Sequence, residues 1–247
     1  MKTLYLIDIS SFIFRAFFAI RKLTTAKGTP VNAVYGVTTM MLNLLEKHKP
    51  DAVACVFDTP APSFRKELFA DYKANRGAPP DELIPQFDLI SRLIETMGIP
   101  KIIAPGFEAD DLIATMARKF PKCEVVIVTG DKDLMQLVNE HVKVLDTMKD
   151  VLYGAAEVKQ KMVVEPKLIP DYLGLIGDSS DNIPGVKVIG PKGAVELIDE
   201  FGTLENILKS TSKMKPGKKR EVLEESHEIA LLSKKLATVR EDLVEET

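Results

Sequence analysis

Three apolar runs, each leading into an aspartate, constrain the fold of this chain more than any other feature. The runs and their acids are Leu4–Ile7 with Asp8, Ala52–Phe57 with Asp58, and Val125–Val128 with Asp131. Continuous apolar runs of this length are typical of strands buried on both faces of a parallel sheet. The carboxyl ends of such strands meet at one edge of the sheet. The sequence therefore predicts that the three aspartates lie close together.

Helical periodicity between these runs predicts an α/β fold with a mostly parallel central sheet flanked by helices. The helix after the first run is expected to be capped by Ser10 or Ser11. Residues 63–81 interrupt the alternation with mixed charge, aromatic side chains and two prolines, and we interpret them as an insertion. After about residue 155 the pattern is helical throughout. We predict an α/β core over residues 1–155 and a helical subdomain over residues 156–247.

Composition narrows the classes of protein to consider. The chain has 247 residues, 45% of them hydrophobic, which is enough for one large core or two modest ones. The net charge of −3 argues against a uniformly basic nucleic-acid binder, unless bound cations offset part of the acidic charge. Cys55 and Cys123 form no disulfide framework, so we expect a reducing cytoplasm. The histidines lack zinc-ligand spacing, and the N-terminal apolar segment is broken by Asp8 and Arg15, which argues against a membrane span.

Nine carboxylates follow predicted strands or begin predicted helices. They are Asp8, Asp58, Glu108, Asp110, Asp111, Asp131, Asp133, Asp178 and Asp181. Any one of them could simply cap a helix, but capping gives no reason for three strands to end in an acid. Acids that converge need counter-charge, and a hard divalent cation such as Mg²⁺ or Mn²⁺ suits oxygen ligands. The sequence contains no Walker-type loop and no Ser/His/Asp or Cys/His nucleophile set, so we favour hydrolysis of a phosphodiester at a two-metal site.

The order of motifs resembles the flap-endonuclease-like 5′-nuclease family, which includes the N-terminal 5′→3′ exonuclease domain of bacterial DNA polymerase I. The motifs are Leu6-Ile-Asp-Ile-Ser-Ser, Val56-Phe-Asp, Tyr72-Lys-Ala-Asn-Arg76, Gly106-Phe-Glu-Ala-Asp-Asp, Thr129-Gly-Asp-Lys-Asp and Gly177-Asp-Ser-Ser-Asp-Asn-Ile-Pro-Gly. The resemblance implies a nuclease with two Mg²⁺ or Mn²⁺ ions. It assigns Asp8, Asp58, Glu108, Asp110 and Asp111 to one ion. It assigns Asp131, Asp133, Asp178 and Asp181 to the other.

The insertion at 63–81 resembles the helical arch of this family, which receives a single-stranded 5′ end. Basic and aromatic residues alternate in it, as suits phosphate contact and base stacking, although an ordinary solvated helix face is the alternative. By resemblance, Lys73 and Arg76 would reach the scissile phosphate and act in catalysis with Asp8 and Asp58. Further DNA contacts are expected from Arg65, Lys66 and Tyr72, and more weakly from Arg15 and Arg21.

Residues 183–199 resemble the helix–hairpin–helix motif by which the family grips duplex DNA. Gly185 and Gly190 would let the backbone approach a phosphate, and a helix starting near Pro191 would point free amides at it. Lys187 and Lys192 add positive charge, and the resemblance implies a K⁺ ion held by the loop carbonyls. The sequence departs from the family pattern at Lys187-Val188, where a Pro-Gly pair is common, and at Gly193, where Thr is frequent. A plain helical hairpin is the alternative interpretation.

We therefore predict a structure-specific 5′→3′ exonuclease and 5′-flap endonuclease of DNA replication and repair. Its partner would be DNA with a 5′ single-strand/duplex junction, and a covalently linked polymerase domain is a further expected partner. We expect a monomer in the bacterial cytoplasm, associated with the nucleoid and not with a membrane. The alternatives are a catalytically silent structure-specific DNA-binding module and a PIN-type RNA nuclease.

Overall fold

A six-stranded sheet forms the centre of the first part of the chain in a computed structural model that describes residues 2–243. The strands are Thr3–Asp8 (β1), Ala52–Val56 (β2), Lys101–Ile102 (β3), Glu124–Val128 (β4), Val142–Asp146 (β5) and Val151–Tyr153 (β6). Their order is β3-β2-β1-β4-β5-β6, and only the β5–β6 pair is antiparallel. The predicted mostly parallel α/β sheet is confirmed.

Strand β1 lies at the centre of the sheet because its side chains are apolar on both faces. Leu6 pairs with Ala54 on one side and with Ile127 on the other. In the same register Asp8 is opposite Val56, and Ile7 is opposite Val128. The chain segments that follow β1, β2 and β4 therefore leave the sheet side by side.

Helices cover both faces of the sheet. They are Ile9–Ala19 (α1), Asn32–His48 (α2), Phe64–Leu68 (α3), Ile84–Thr96 (α4), Ala109–Lys119 (α5), Ala155–Met162 (α6), Ile169–Ile176 (α7), Pro191–Phe201 (α8), Leu204–Lys209 (α9), Lys218–Glu225 (α10) and His227–Ala237 (α11). On one face α1, α2 and α4 pack with Tyr5 and Ile7. On the other, Leu4 and Leu6 share a core with α5 and with helices of the second part of the chain.

The insertion at 63–81 contains less helix than a helical arch requires. Only α3, five residues long, is helical, and the chain then continues in turns. Lys73 adopts a left-handed backbone conformation with φ of 53°, and the Lys73 amide donates to the carbonyl of Asp181 at 2.9 Å. This contact ties the turn that carries Lys73 to the loop after α7.

Beyond Tyr153 every regular element among the described residues is helical. Helix α8 begins at Pro191, where the sequence places a helix start, and the loop between α7 and α8 is pinned by an isolated bridge between Asp178 and Ile183. The division at residue 155 stays a prediction, and residues 244–247 of the predicted subdomain lie outside the described part. Within residues 2–243, none of the helices combines the length and apolar character needed to cross a bilayer.

Candidate active site

A cleft at the carboxyl edge of the sheet collects four of the nine acids. Its volume is about 410 Å³. The lining residues are Asp8, Asp58, Asp110 and Asp131, together with Ser10, Ser11, Phe14, Lys73, Arg76 and Gly130. The three strand-end aspartates therefore lie around one cavity, and two cationic side chains face the same space.

Asp8 ends β1 and is also the N-cap of α1. Its Oδ1 accepts a hydrogen bond from the Ser11 amide at 3.2 Å, so the cap is Asp8 and the prediction of a serine cap is wrong. The hydroxyl of Thr129 donates to Asp8 Oδ2 at 2.8 Å. Burial, reinforced by the charges of Asp58 and Asp131, outweighs these hydrogen bonds and raises the pKa of Asp8 to about 6.

Asp58 and Asp110 differ in how they are held. Asp58 accepts from the Ala109 amide at 2.9 Å and from the Ser10 hydroxyl at 2.7 Å, and thus joins the starts of α1 and α5. No hydrogen-bond donor in the described part of the chain reaches the Asp110 carboxylate. Burial, followed by the charges of Asp131 and Asp8, raises the pKa of Asp110 well above its ordinary value. The charge of Lys73 favours the ionised form of Asp110 but does not offset these effects.

Glu108 is paired with a cation from the insertion. Lys73 Nζ donates to Glu108 Oε2 at 2.8 Å, and the Ser63 hydroxyl donates to Oε1 at 2.8 Å. Although burial opposes ionisation, Lys73 and Arg65 outweigh it and hold the pKa of Glu108 below its ordinary value. Tyr72 places its hydroxyl 3.2 Å from Glu108 Oε2 and 3.1 Å from Asp181 Oδ2.

Asp111, which the resemblance assigns to the first ion, is already fully paired. Its two oxygens accept from Arg65 Nη1 at 2.7 Å and Nη2 at 2.8 Å, and Oδ1 also accepts from the Arg240 amide at 2.9 Å. The carboxylate is 0% exposed and does not line the cleft. The structure therefore corrects this assignment: Asp111 is the partner of a buried arginine.

The remaining acids form a second group beside the cleft. Asp178 accepts from Lys132 Nζ at 2.8 Å, and Asp181 forms an ion pair with Arg76. Asp133 Oδ1 is buried without a hydrogen-bond partner. Burial, followed by the charges of Asp131 and Asp178, raises the pKa of Asp133 to about 8. At Asp133 the charge of Lys132 favours the ionised form but does not offset these effects.

Oxygen donors with too little positive charge around them suit a hard divalent cation. As the side chains stand, no three His, Cys, Asp or Glu residues within 2–243 are arranged to hold a metal ion. Several acids are instead oriented by the cations of Lys73, Arg76 and Lys132. The residue types and the unpaired Asp133 oxygen fit divalent metal, provided that these ion pairs open when it binds.

The predicted DNA contacts divide into exposed and buried groups. Three of them are buried inside the protein, which corrects their assignment as DNA contacts: Arg65, Tyr72 and Gly185. Arg15 donates to the Thr147 hydroxyl at 2.8 Å and lines a separate cavity, and Lys66 folds back onto the carbonyl of Ala70. The following are exposed: Arg21, Arg76, Lys187, Gly190 and Lys192. Of these, Arg76 is paired with Asp181.

Comparison with known proteins identifies the family. A model described as "5'-3' exonuclease, N-terminal resolvase-like domain" matches residues 3–163. A second model, described as "5'-3' exonuclease, C-terminal SAM fold", matches residues 164–247. The chain belongs to the 5′-3′ exonuclease family. It is accordingly an enzyme of the metal-dependent 5′-nuclease class.

Two similar proteins differ in how much of their own length this chain matches. The 5′-3′ exonuclease of Aquifex aeolicus is 44% identical over 237 residues, which cover 94% of this chain and 82% of that protein. DNA polymerase I of Rhizobium leguminosarum is 43% identical over 250 residues, which cover 97% of this chain and 25% of the polymerase. The chain thus spans about a quarter of that polymerase.

A solved structure agrees with the fold. The bacteriophage T5 D15 flap endonuclease, in a complex with DNA and metal ions, superposes with a TM-score of 0.80 and 22% identity. The superposition covers 96% of this chain and 89% of that one. At this identity the similarity supports the 5′-3′ exonuclease fold and not individual residue roles.

Several residues that shape the site were given no role in it by the sequence analysis, which considered Ser10 only as a helix cap. Thr129 holds Asp8, Ser10 holds Asp58, Ser63 holds Glu108, and Lys132 pairs with Asp178. Ser10, Thr129 and Lys132 lie within or next to the motifs quoted above, so their position in the sequence was a usable signal. Ser63 carries no such signal, because only the fold brings it beside α5.

Proposed function

We propose that this chain hydrolyses DNA phosphodiesters at junctions between a duplex and a 5′ single strand, both as a 5′→3′ exonuclease and as a flap endonuclease. This activity would remove primers and flaps in replication and repair. The cleft that places Asp8, Asp58, Asp110 and Asp131 beside cationic side chains is the observation that carries the proposal. Such a cleft can take up divalent cations and a phosphate together.

Two Mg²⁺ ions, replaceable by Mn²⁺, are the proposed cofactors. Asp8, Asp58, Asp110 and Glu108 would hold the first. Asp131, Asp133, Asp178 and Asp181 would hold the second. Bound divalent cations would supply Lewis acidity, which offsets phosphate charge and lowers the pKa of water so that it can be deprotonated for attack at neutral pH. Asp111 is left out of this set because both of its carboxylate oxygens accept hydrogen bonds from Arg65.

Lys73 and Arg76 are the proposed phosphate-stabilising residues. Both line the cleft, and both are paired with acids in this structure. A DNA phosphate can attract them away from those acids, because a phosphate oxygen accepts charge-assisted hydrogen bonds as a carboxylate does. They would then stabilise the negative charge that develops on the phosphate as its bond breaks. The products would carry a 5′-phosphate and a 3′-hydroxyl.

The loop before α8 is the proposed duplex contact. Lys187, Gly190 and Lys192 are exposed there, and no side chain caps the first turn of α8. Free amides at a helix start attract phosphate, and a lysine beside them adds charge. A K⁺ ion held by loop carbonyls, as the family resemblance implies, belongs to this proposal.

The setting in the cell is also proposed. The match to one quarter of a polymerase I sequence supports function beside a covalently linked polymerase in some proteins of the family. We propose that the nuclease acts as a monomer on DNA in the bacterial cytoplasm, where the nucleoid supplies its substrate.

A labelled 5′-flap duplex tests the proposal. We expect a ladder of short products in Mg²⁺ and none in EDTA, and we expect Asp8→Asn and Asp131→Asn to abolish the ladder. Tight flap binding without products in either metal would indicate a silent DNA-binding module. Preferential cleavage of a matched RNA strand would indicate an RNA nuclease instead.

A further inference from the structure

A buried ion pair lies directly behind the candidate active site. The Arg65 side chain is 2% exposed and meets both oxygens of Asp111, which is 0% exposed. Two parallel hydrogen bonds from a planar guanidinium fix the carboxylate in orientation as well as in position. The pair joins α3, at the start of the insertion, to the first turn of α5.

The C-terminal end of α11 completes this pair. Arg65 Nε donates to the carbonyl of Leu236 at 2.8 Å, and Nη2 donates to that of Thr238 at 2.9 Å. The Arg240 amide donates to Asp111 Oδ1, and the Arg240 guanidinium lies 5.5 Å from each of the Phe64 and Phe107 ring centres. We call residues 236–240 the C-terminal strap. Its carbonyl groups accept the hydrogen bonds that Arg65 does not donate to Asp111.

The same network reaches Glu108. The Glu108 amide donates to Asp111 Oδ2 at 3.3 Å, and Arg65 Nη1 lies 3.5 Å from Glu108 Oε2. Glu108 in turn accepts from Lys73. One buried arginine thus sits between the strap and the acid that holds the proposed catalytic lysine.

We propose that Arg65, Asp111 and the C-terminal strap act as a positioning unit that sets the placement of Glu108 and Lys73 for metal binding and cleavage. This inference rests on the proposed function. It assigns Arg65 a role behind the site and not on the DNA surface. It also makes the end of α11 part of the active-site architecture, although the strap does not line the cleft.

The decisive variant is Arg65→Lys, which keeps the charge but cannot make the two-point contact with Asp111 together with both carbonyl bonds. The matched control is Lys234→Met. Lys234 also forms a partly buried network from α11, with Asp171 at 2.7 Å and Glu205 at 2.8 Å, but this network makes no contact with Glu108. Both variants should lower the melting temperature. They should differ in how they affect metal binding and chemistry.

Mn²⁺ affinity by calorimetry and single-turnover cleavage of a bound flap are the readouts, each taken well below the melting temperature of every variant. For Arg65→Lys we expect Mn²⁺ affinity, cleavage rate, or both to fall by about tenfold to hundredfold, the usual effect of losing a residue that orients a metal ligand. The flap dissociation constant should change little. Lys234→Met should match the wild type in all three measurements.

Equal Mn²⁺ affinity and equal rate in Arg65→Lys and wild type would overturn this inference and leave the proposed function intact. If the wild type bound Mn²⁺ but cut no DNA, the proposed function would fail. The difference in Mn²⁺ affinity between Arg65→Lys and the wild type would still test the positioning unit. Should Arg65→Lys not fold, Asp111→Asn gives a second test, because it keeps the size of the side chain but replaces one of the two oxygens that accept hydrogen bonds from Arg65. Wild-type values of both affinity and rate in that variant would overturn the positioning unit.

Discussion

Lys73 Nζ lies 2.8 Å from Glu108 Oε2 and 3.5 Å from Asp181 Oδ2, so one ammonium group joins an acid from each proposed metal group. The Lys73 amide is also bonded to the Asp181 carbonyl, which fixes the backbone of this turn. Lys73 therefore serves as a counter-charge for acids that would otherwise repel each other. In the proposed reaction it has to exchange these carboxylates for a phosphate.

This pairing predicts opposite effects of Lys73→Met on metal binding and on cleavage. Removing a cation that competes for Glu108 should tighten Mn²⁺ binding, measured by calorimetry. Losing a group that stabilises charge on the phosphate should slow single-turnover cleavage by about a hundredfold to a thousandfold. Lys101→Met is the control, since Lys101 is paired with Glu95 and Ser91 outside the cleft. If rate and DNA affinity fell equally, Lys73 would serve binding only.

Neighbouring aspartates on α5 should respond oppositely to the same substitution. Asp110→Asn removes a half-buried charge that no hydrogen-bond donor in the described residues satisfies, and should raise the stability of the metal-free protein by about 1 kcal/mol while abolishing cleavage. Asp111→Asn breaks a buried ion pair and should destabilise by about 3–5 kcal/mol. Thermal unfolding in EDTA measures both effects. A lower melting temperature for Asp110→Asn would contradict our description of this site.

The contrast between Asp110 and Asp111 also shows what sequence patterns can and cannot predict here. Apolar runs and parallel-sheet geometry were sufficient to place Asp8, Asp58 and Asp131 at one edge. Helical spacing could not tell which acid of the Glu108–Asp111 cluster faces the cleft, because the answer depends on Arg65 from another helix and on carbonyls more than a hundred residues later. Contacts set by such distant segments leave no local periodic signal.

The insertion shows a second limit of the same kind. Its basic and aromatic residues alternate as in a DNA-binding stripe, yet Arg65 and Tyr72 point inward and bind acids. Charge alone does not distinguish an arginine that meets solvent from one that neutralises a buried carboxylate. Lys73 and Arg76, by contrast, line the cleft as the resemblance implies for residues near a phosphate.

Divalent metal should stabilise the fold. A ligand that binds only the native state adds about 2.7 kcal/mol when its concentration is 100 times the dissociation constant. For a chain of this size, each kcal/mol raises the melting temperature by about 2–4 °C. We therefore expect the melting temperature to rise in Mg²⁺ or Mn²⁺ and to return to its metal-free value when EDTA is added. Asp110→Asn should show a much smaller shift, and an equal shift in that variant would exclude Asp110 as a ligand.

A strained valine in the loop before α8 gives the last prediction. Val188 has φ of 74° and is 65% exposed, at a position where the family pattern commonly has glycine. A left-handed conformation costs an L-residue about 1–2 kcal/mol, whereas glycine adopts it freely but loses more conformational freedom on folding. Val188→Gly should therefore raise the unfolding free energy by up to about 1 kcal/mol, measured by urea denaturation.

Val163 offers a matched control for Val188, because it has φ of 59°, is 50% exposed and ends α6 far along the chain from the hairpin loop. Val163→Gly should give a similar gain in stability, since the strain relieved is of the same kind. If the loop before α8 binds duplex DNA, only Val188→Gly should change the dissociation constant for a blunt duplex. Only this substitution alters the backbone of the loop that would contact the phosphates. Equal duplex affinity in wild type and both variants would show that backbone strain at Val188 has no bearing on DNA binding.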